Sequence, residues 1–254
     1  MLSESTWRSL SSGLRSAADA VLTIVFAPAC ASCGALLDEP SRGPVCARCW
    51  HSILPITPPV CDRCGDPLPA WRAISVPLER CPRCRRTPRA FDRARAIGEY
   101  EGALRAIVHA LKYDGRRSLA KPLAAMMRRS AADLIAGVDC AVPVPLHPSR
   151  RRHRGFNQAR DLANHLCVPV CGALKRSRRT RTQTGLPALQ RRRNVRGAFE
   201  LTAAGRKLRG AVVLLVDDVS TTGATLDACA QVLKAGGVKE VRALTAARVV
   251  TSPR

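Results

Sequence analysis

The sequence predicts an α/β protein: a mostly parallel sheet with flanking helices, preceded by a small cysteine-rich module. Three observations predict it. Val212–Thr225, VVLLVDDVSTTGAT, reads as a strand buried on both faces that ends in two acids, followed by a hydroxyl-rich turn and a helix start. From Phe91 onward, short apolar runs alternate with segments of helical period. Before Phe91, eight of the chain's twelve cysteines form four C-x-x-C pairs. The expected division is an N-terminal helix over 1–29, the cysteine-rich module over 30–90 and the α/β domain over 91–254.

Charge bounds the partners. Forty-two Lys and Arg against 19 Asp and Glu give a formal charge of +23. That balance favours polyanions: nucleic acid, an anionic membrane surface or phosphorylated substrates. An Arg-rich proteome would produce it without any such partner. Aromatic residues make up 4% of the chain, so composition shows no base-stacking platform. No run of eighteen apolar residues occurs, and no membrane span is expected. At the N-terminus, Trp7, Leu10, Leu14, Ala18, Val21 and Val25 recur at helical spacing. Asp19 interrupts the apolar stretch Ala17–Ala29, and no basic segment directly precedes it. A helix is therefore preferred over a signal peptide, and a cytoplasmic location is expected.

The cysteine pairs are Cys30/Cys33, Cys46/Cys49, Cys61/Cys64 and Cys81/Cys84, with twelve residues between the first two pairs and sixteen between the last two. This is zinc-ribbon spacing, each pair offering two thiolates to a tetrahedral ion. Gly34 and Gly65 follow two of the pairs, as such turns require. Zinc would also stabilise a Pro-rich segment with little core of its own. A disulfide framework or a redox pair is the alternative reading. Spacing leaves open whether there are two sites, and which pairs share one. His51 reads as a surface residue. Cys140, Cys167, Cys171 and Cys229 lie in apolar surroundings and read as buried thiols, with exposure left open for Cys171.

Phe91–Tyr100 predicts a strand. A helix follows with Leu104, Ile107, Val108 and Leu111 on one face, stopped at Lys112–Gly115. A second helix is expected from Ser118 to Leu134, with Pro122 tolerated in its first turn. Cys140–Val144 predicts a short buried strand. A dense basic loop follows, Pro145 to Gln158, containing Arg150, Arg151, Arg152, Arg154 and Gly155, and a helix then runs to Leu166. Guanidinium forks after a strand suit a pyrophosphate, though a solvated basic loop has the same composition. Asn157 and Gln158 are the specific part of this loop, unless capping alone explains them.

Lys175–Arg196 forms a second basic block that includes Arg176 and Arg193, and no acid occurs between Asp161 and Glu200. It reads as a long mobile loop with a short helix near Leu189–Arg196, either a lid or a disordered linker. After the strand over Val212–Val216, the helix is expected to stop at Gly236-Gly237, and Val238–Val249 predicts the last strand. The turn Ser220–Thr225 gathers hydroxyls and backbone N–H groups at a helix N-terminus, an anion site beside Asp217 and Asp218. The plain alternative is a helix capped by Asp218 or Ser220. No G-x-x-x-x-G-K-[ST] occurs, so a P-loop ATPase is not expected.

The layout of strand, two acids and T-T-G-x-T resembles the phosphoribosyl diphosphate (PRPP) loop of type I phosphoribosyltransferases. ALKYDG (Ala110–Gly115), PVPLHPSRRRHRGFNQARDLA (Pro143–Ala163), the block Arg176–Phe199 and LLVDDVSTTGAT (Leu214–Thr225) occur in that order behind the four C-x-x-C pairs. With them the chain resembles the ComF family of double-zinc-ribbon, phosphoribosyltransferase-like proteins, from Cys30 to Arg248. The resemblance implies a type I phosphoribosyltransferase fold with a hood over the sheet's carboxyl edge. It implies structural zinc on Cys30, Cys33, Cys46, Cys49, Cys61, Cys64, Cys81 and Cys84, and PRPP with Mg²⁺ as ligand. Asp217 and Asp218 would hold the ribose hydroxyls as the catalytic pair. Val219, Ser220, Thr221, Thr222, Gly223, Ala224 and Thr225 would hold the 5′-phosphate. Arg150, Arg151, Arg152, Arg154, Gly155, Asn157, Gln158, Arg176 and Arg193 would serve the diphosphate. The family also implies a link to uptake of single-stranded DNA, with a helicase partner. The competing reading is a non-catalytic single-stranded-DNA-binding protein on a retired enzyme fold. No residue names the acceptor.

Overall fold

The computed structural model describes residues 19, 20, 22, 27–68, 80–178 and 197–250. The helix expected over 1–29 lies almost wholly outside them, as do the segment 179–196 with Arg193 and the last four residues.

The organising stretch is the centre of the sheet. Strand β5, Val212–Ser220, pairs in parallel with β2, Cys140–Pro143, on one side and β6, Glu240–Arg248, on the other. Strand β1, Arg93–Glu99, adds in parallel to the far side of β6. The order is β1-β6-β5-β2. A parallel sheet needs cover on both faces, and β5 supplies apolar residues to each. Leu214 and Val216 join one core, and Val213 and Leu215 join the other.

The first core is closed by α3, Gly102–Tyr113, α4, Ala120–Ser130, and α7, Gln158–Ala163, through Leu104, Ile107, Leu111, Leu123, Met127 and Leu162. The second is closed by α9, Ala224–Ala235, through Leu226, Cys229 and Leu233. A two-stranded antiparallel sheet, β3 (Leu174–Arg176) with β4 (Phe199–Leu201), contributes Leu174 and Phe199 to that second core. Short helices α1 (Ala47–His51) and α2 (Pro82–Arg86) carry the second half of each cysteine set. The remaining short helices are α5 (Ala132–Ile135), α6 (Pro148–Arg154) and α8 (Ala203–Arg206).

The described residues of the cysteine-rich segment form no core apart from these two. Cys30, Leu37, Val45, Cys49 and Ile53 belong to the first core, and Cys61, Cys64, Cys81 and Cys84 to the second. The cysteine-rich segment covers the edge of β1: Glu99 N donates to Leu54 O, between the two cysteine sets, at 2.9 Å, and Ala94 N to Arg63 O, inside the second set, at 2.8 Å. An open strand edge is thereby closed.

Five expectations are corrected. The basic stretch after β2 is a helix: Pro148 starts α6, the His147 side chain caps it by accepting from Ser149 N, and Gly155 ends it in the left-handed conformation. The helix from Ser118 to Leu134 breaks at Ala131, where the backbone turns to bury Leu134 and to present the Leu134 and Ala136 carbonyls to Arg242 from β6. Residues 174–176, at the start of the expected long loop, form β3 because residues 199–201 return beside them. Strand β5 runs past Val216 to Ser220, since β6 continues the ladder as far as Arg248. Cys167 is exposed, not a buried thiol; the Arg128 guanidinium reaches its sulfur at 3.2 Å.

Candidate functional site

The cysteines resolve into two sets, Cys30/Cys33/Cys46/Cys49 and Cys61/Cys64/Cys81/Cys84, the sulfurs of each within 4.8 Å of one another. Four thiolates around a tetrahedral zinc at 2.3 Å would stand about 3.8 Å apart. Cys30–Cys49 and Cys33–Cys46 are 3.9 Å apart, and Cys64–Cys81 3.6 Å. All twelve cysteines are free thiols. The C-x-x-C turns form as Gly allows: Gly34 and Gly65 lie at φ +75° and +70°, and their N–H groups donate to the Cys30 and Cys61 carbonyls at 2.9 and 2.8 Å. Packed this closely, the thiols split in acidity. Burial opposes ionisation of Cys30, but the backbone N–H groups of Cys46, Cys33 and Ser32 outweigh it and draw the thiol to about 6. Burial pushes Cys49 up to about 12. In the second set, hydrogen bonds from Cys64, Cys81 and Cys84 pull Cys61 far down, while its pairing with Cys61 drives Cys64 far up. A shared dication removes that conflict, and the donor set fits structural zinc.

The second site is a cleft of about 420 Å³ at the carboxyl end of β5. Asp218 is 4% exposed, its Oδ2 held 3.1 Å from Lys112 Nζ and its Oδ1 accepting from Val219 N at 2.6 Å. Asp217 is half-buried and accepts from Asp218 N at 2.9 Å. Burial, then the charge of Asp218, pushes Asp217 up to about 8 against the pull of Lys112. Lys112 itself is held above its ordinary value: burial lowers it, but Asp218 and Asp217 outweigh that.

Arg105, Arg150, Arg154 and Arg176 line the same cleft as the acids. Burial and then the neighbouring Arg150 pull Arg176 below the usual guanidinium range. Arg154 lies 5.1 Å over the Tyr113 ring and donates to Gln158 Oε1 at 2.6 Å. The turn after β5 leads into α9 through Gly223, at φ +73°, which provides no side-chain cap. Neither Asp218 nor Ser220 caps this helix; the Thr222 hydroxyl accepts from Ala224 N at 3.4 Å, and hydroxyls and backbone N–H groups gathered at a helix start have the character of an anion site. Ser220 Oγ is buried with no hydrogen-bond partner among the described residues.

The predicted residues therefore divide. Asp217, Asp218, Val219, Thr221, Thr225, Arg150, Arg154, Gln158 and Arg176 meet at the cleft. Ser220, Thr222, Gly223 and Ala224 shape the turn behind it without lining the wall. Arg151, Arg152 and Gly155 are exposed elsewhere on α6 and its end. Asn157 is structural: its side chain caps α7 by accepting from Ala159 N, and donates to Val144 O. Lys112, Arg105, Tyr100 and Tyr113 also line the cleft and are not among the residues the sequence predicts for it. Lys112 lies in the ALKYDG stretch, but its pairing with Asp218 crosses 106 positions and leaves no local signal.

Comparison with known proteins agrees with this architecture. Residues 21–85 match the double zinc ribbon domain family and residues 152–252 the phosphoribosyl transferase domain family. The DNA utilization protein YhgH of Salmonella typhi is 34% identical over 210 residues, covering 78% of this chain and 86% of that protein. The chain belongs to the ComF family. Competence protein F of Haemophilus influenzae is 29% identical over 229 residues, 86% of this ComF chain and 96% of the relative. Competence protein ComFC of Bacillus subtilis is 25% identical over 215 residues, 80% and 84% of the two chains. In this ComF protein the first matched segment contains the cysteine sets and the second contains the Asp217–Thr225 turn. No helix among the described residues is long and apolar enough to cross a membrane.

Proposed function

We propose that this ComF protein binds PRPP with Mg²⁺ at the Asp217–Thr225 loop and transfers its phosphoribosyl group to an acceptor. One observation carries the reading: two carboxylates at a strand end, one half-buried and one buried, share a cleft with Arg150, Arg154 and Arg176 beside a helix start whose N-cap, Gly223, offers no side chain. A ligand bearing vicinal hydroxyls, a phosphate and a diphosphate matches all three features. Asp217 and Asp218 hold the ribose hydroxyls and stabilise positive charge growing at C1′. Thr221, Thr225 and the backbone of the turn hold the 5′-phosphate. Arg150, Arg154 and Arg176 draw charge off the departing diphosphate. Mg²⁺ supplies charge neutralisation on the same oxygens, and the half-buried carboxylate of Asp217 suits a hard cation that keeps its waters. Removing one such transition-state donor costs about 2.7–4 kcal/mol of barrier.

The test is calorimetric titration of PRPP with Mg²⁺ into the zinc-loaded protein and into Asp217→Asn/Asp218→Asn. Saturable binding lost in the double variant is expected; absence of binding in folded wild type overturns the reading.

A second reading is single-stranded-DNA binding in DNA uptake, with a helicase alongside; the names of the relatives, competence protein and DNA utilization protein, are in keeping with a role in DNA handling. One observation favours it. A second pocket of about 610 Å³ adjoins the cleft through Lys112, Tyr113, Arg150 and Arg154, and has no acid in its wall. Tyr113 there is 61% exposed, as a base-stacking ring must be. Affinity for single strands falling with salt at about −0.7 per phosphate contact is its signature. The division at residues 29/30 and 90/91 belongs to the same proposal, the ribbons serving as a scaffold for the transferase domain.

A further inference from the structure

Between the second cysteine set and β1, one charged side chain turns inward. Arg89 is 7% exposed. Its Nη2 donates to the Thr222 carbonyl oxygen at 3.2 Å, while Nε and Nη1 are buried with no hydrogen-bond partner among the described residues. No carboxylate among the described residues pairs with it. A guanidinium so placed is costly unless an anion comes to it. Its position is specific: a Cβ built on Gly223 would stand 4.0 Å from Arg89 Nη1 and 3.8 Å from the Phe91 ring. The charge therefore lies directly against the turn that opens α9.

The segment carrying Arg89 is held at both ends. Ala90 N donates to Asp227 Oδ1, in the first turn of α9, at 2.7 Å. Phe91 is 1% exposed and packs in the core shared by Cys61, Cys64, Cys81, Cys84 and Leu226. A second tie runs from the same cysteines to the sheet. Arg248, at the end of β6, bonds Asp66 Oδ1 at 2.9 Å and Cys64 O at 2.9 Å, and its neighbour Val249 donates to Ser220 O at 2.9 Å.

We infer that Arg89 is a positioning residue for phosphate, delivered to the Thr221–Thr225 turn by the second zinc ribbon. It fixes the Thr222–Gly223 peptide through the Thr222 carbonyl, and its charge, unpaired among the described residues, favours an anion on that turn. The ribbon is thereby part of the ligand site and not only a stabilising appendage. This rests on the phosphoribosyl reading above and adds to it a residue from outside the transferase domain.

The experiment titrates ribose 5-phosphate into the zinc-loaded full chain and into Arg89→Gln and Arg89→Lys, with zinc content measured for each. Gln keeps a donor for the Thr222 carbonyl without the charge; Lys keeps the charge without the fork. Binding about tenfold weaker in Arg89→Gln, with Arg89→Lys nearer to wild type and zinc unchanged, is expected. Wild-type affinity in Arg89→Gln, or equal weakening in both variants, overturns the inference and leaves the phosphoribosyl reading standing. Wild-type protein that binds neither ribose 5-phosphate nor PRPP overturns both. Independently of any variant, the Arg89 Nε–H resonance of wild-type protein is expected to shift on saturation with ribose 5-phosphate; an unmoved resonance overturns the inference.

Discussion

Asp217 and Asp218 are neighbours in sequence with different surroundings. Asp218 is buried against Lys112, and Asp217 is left with a raised affinity for its proton, near 8. A carboxyl whose folded pKa is raised stabilises the fold while protonated, and that stabilisation is lost as pH climbs from its unfolded value, near 4, to about 8. Ligand-free protein is expected to lose stability over that range, and Asp217→Asn to flatten the loss. By about pH 7 the variant should be more stable than wild type, by at most about 4 kcal/mol, and yet fail to bind PRPP. Urea denaturation at pH 5, 6, 7 and 8 checks this. Lys112→Met should do the opposite. It strands Asp218 in the interior at a cost of about 3–5 kcal/mol, and Lys112→Met/Asp218→Asn should recover most of the loss in the same assay.

At the scale of elements, the two cysteine turns share a conformation but not their surroundings. A Cβ on Gly34 would meet nothing within 4 Å, whereas one on Gly65 would stand 2.6 Å from the Ala94 carbonyl oxygen on β1. Gly34→Ala should therefore cost only the left-handed backbone penalty, about 1–2 kcal/mol. Gly65→Ala should cost clearly more, because the turn must also move off β1; thermal melts of the two variants compare them. Helix α6 teaches a related lesson. Its Pro start and Gly end are both present in the sequence, but the run of charge between them reads as a loop. Arg150 and Arg154, four residues apart, share a face at the cleft, while Arg151 and Arg152 are exposed.

For the whole molecule, zinc is expected to hold the transferase domain as well as the ribbons. Each cysteine set is part of one of the two cores that sandwich the sheet. Chelation should therefore lower a single calorimetric transition of the entire protein; two separate transitions, with the upper one unmoved, would contradict this. Much of this organisation was legible from residues alone. The β5 run, the acids after it, the Gly exits from the C-x-x-C turns and the apolar stripe of α3 are local patterns of period and turn chemistry, so they can be read without knowing what lies opposite. By itself the sequence determined the parallel α/β class and the four C-x-x-C pairs as a zinc-ribbon module, and it pointed to the carboxyl end of β5 as the candidate site. Only the tertiary structure decided which cysteine pairs share a set, that Lys112 neutralises Asp218, which arginines reach the cleft, and that Arg89 lies against the turn. These are contacts between residues far apart in the chain. Periodicity fixes the direction of a side chain within its own element, and carries no information on which distant element packs against it.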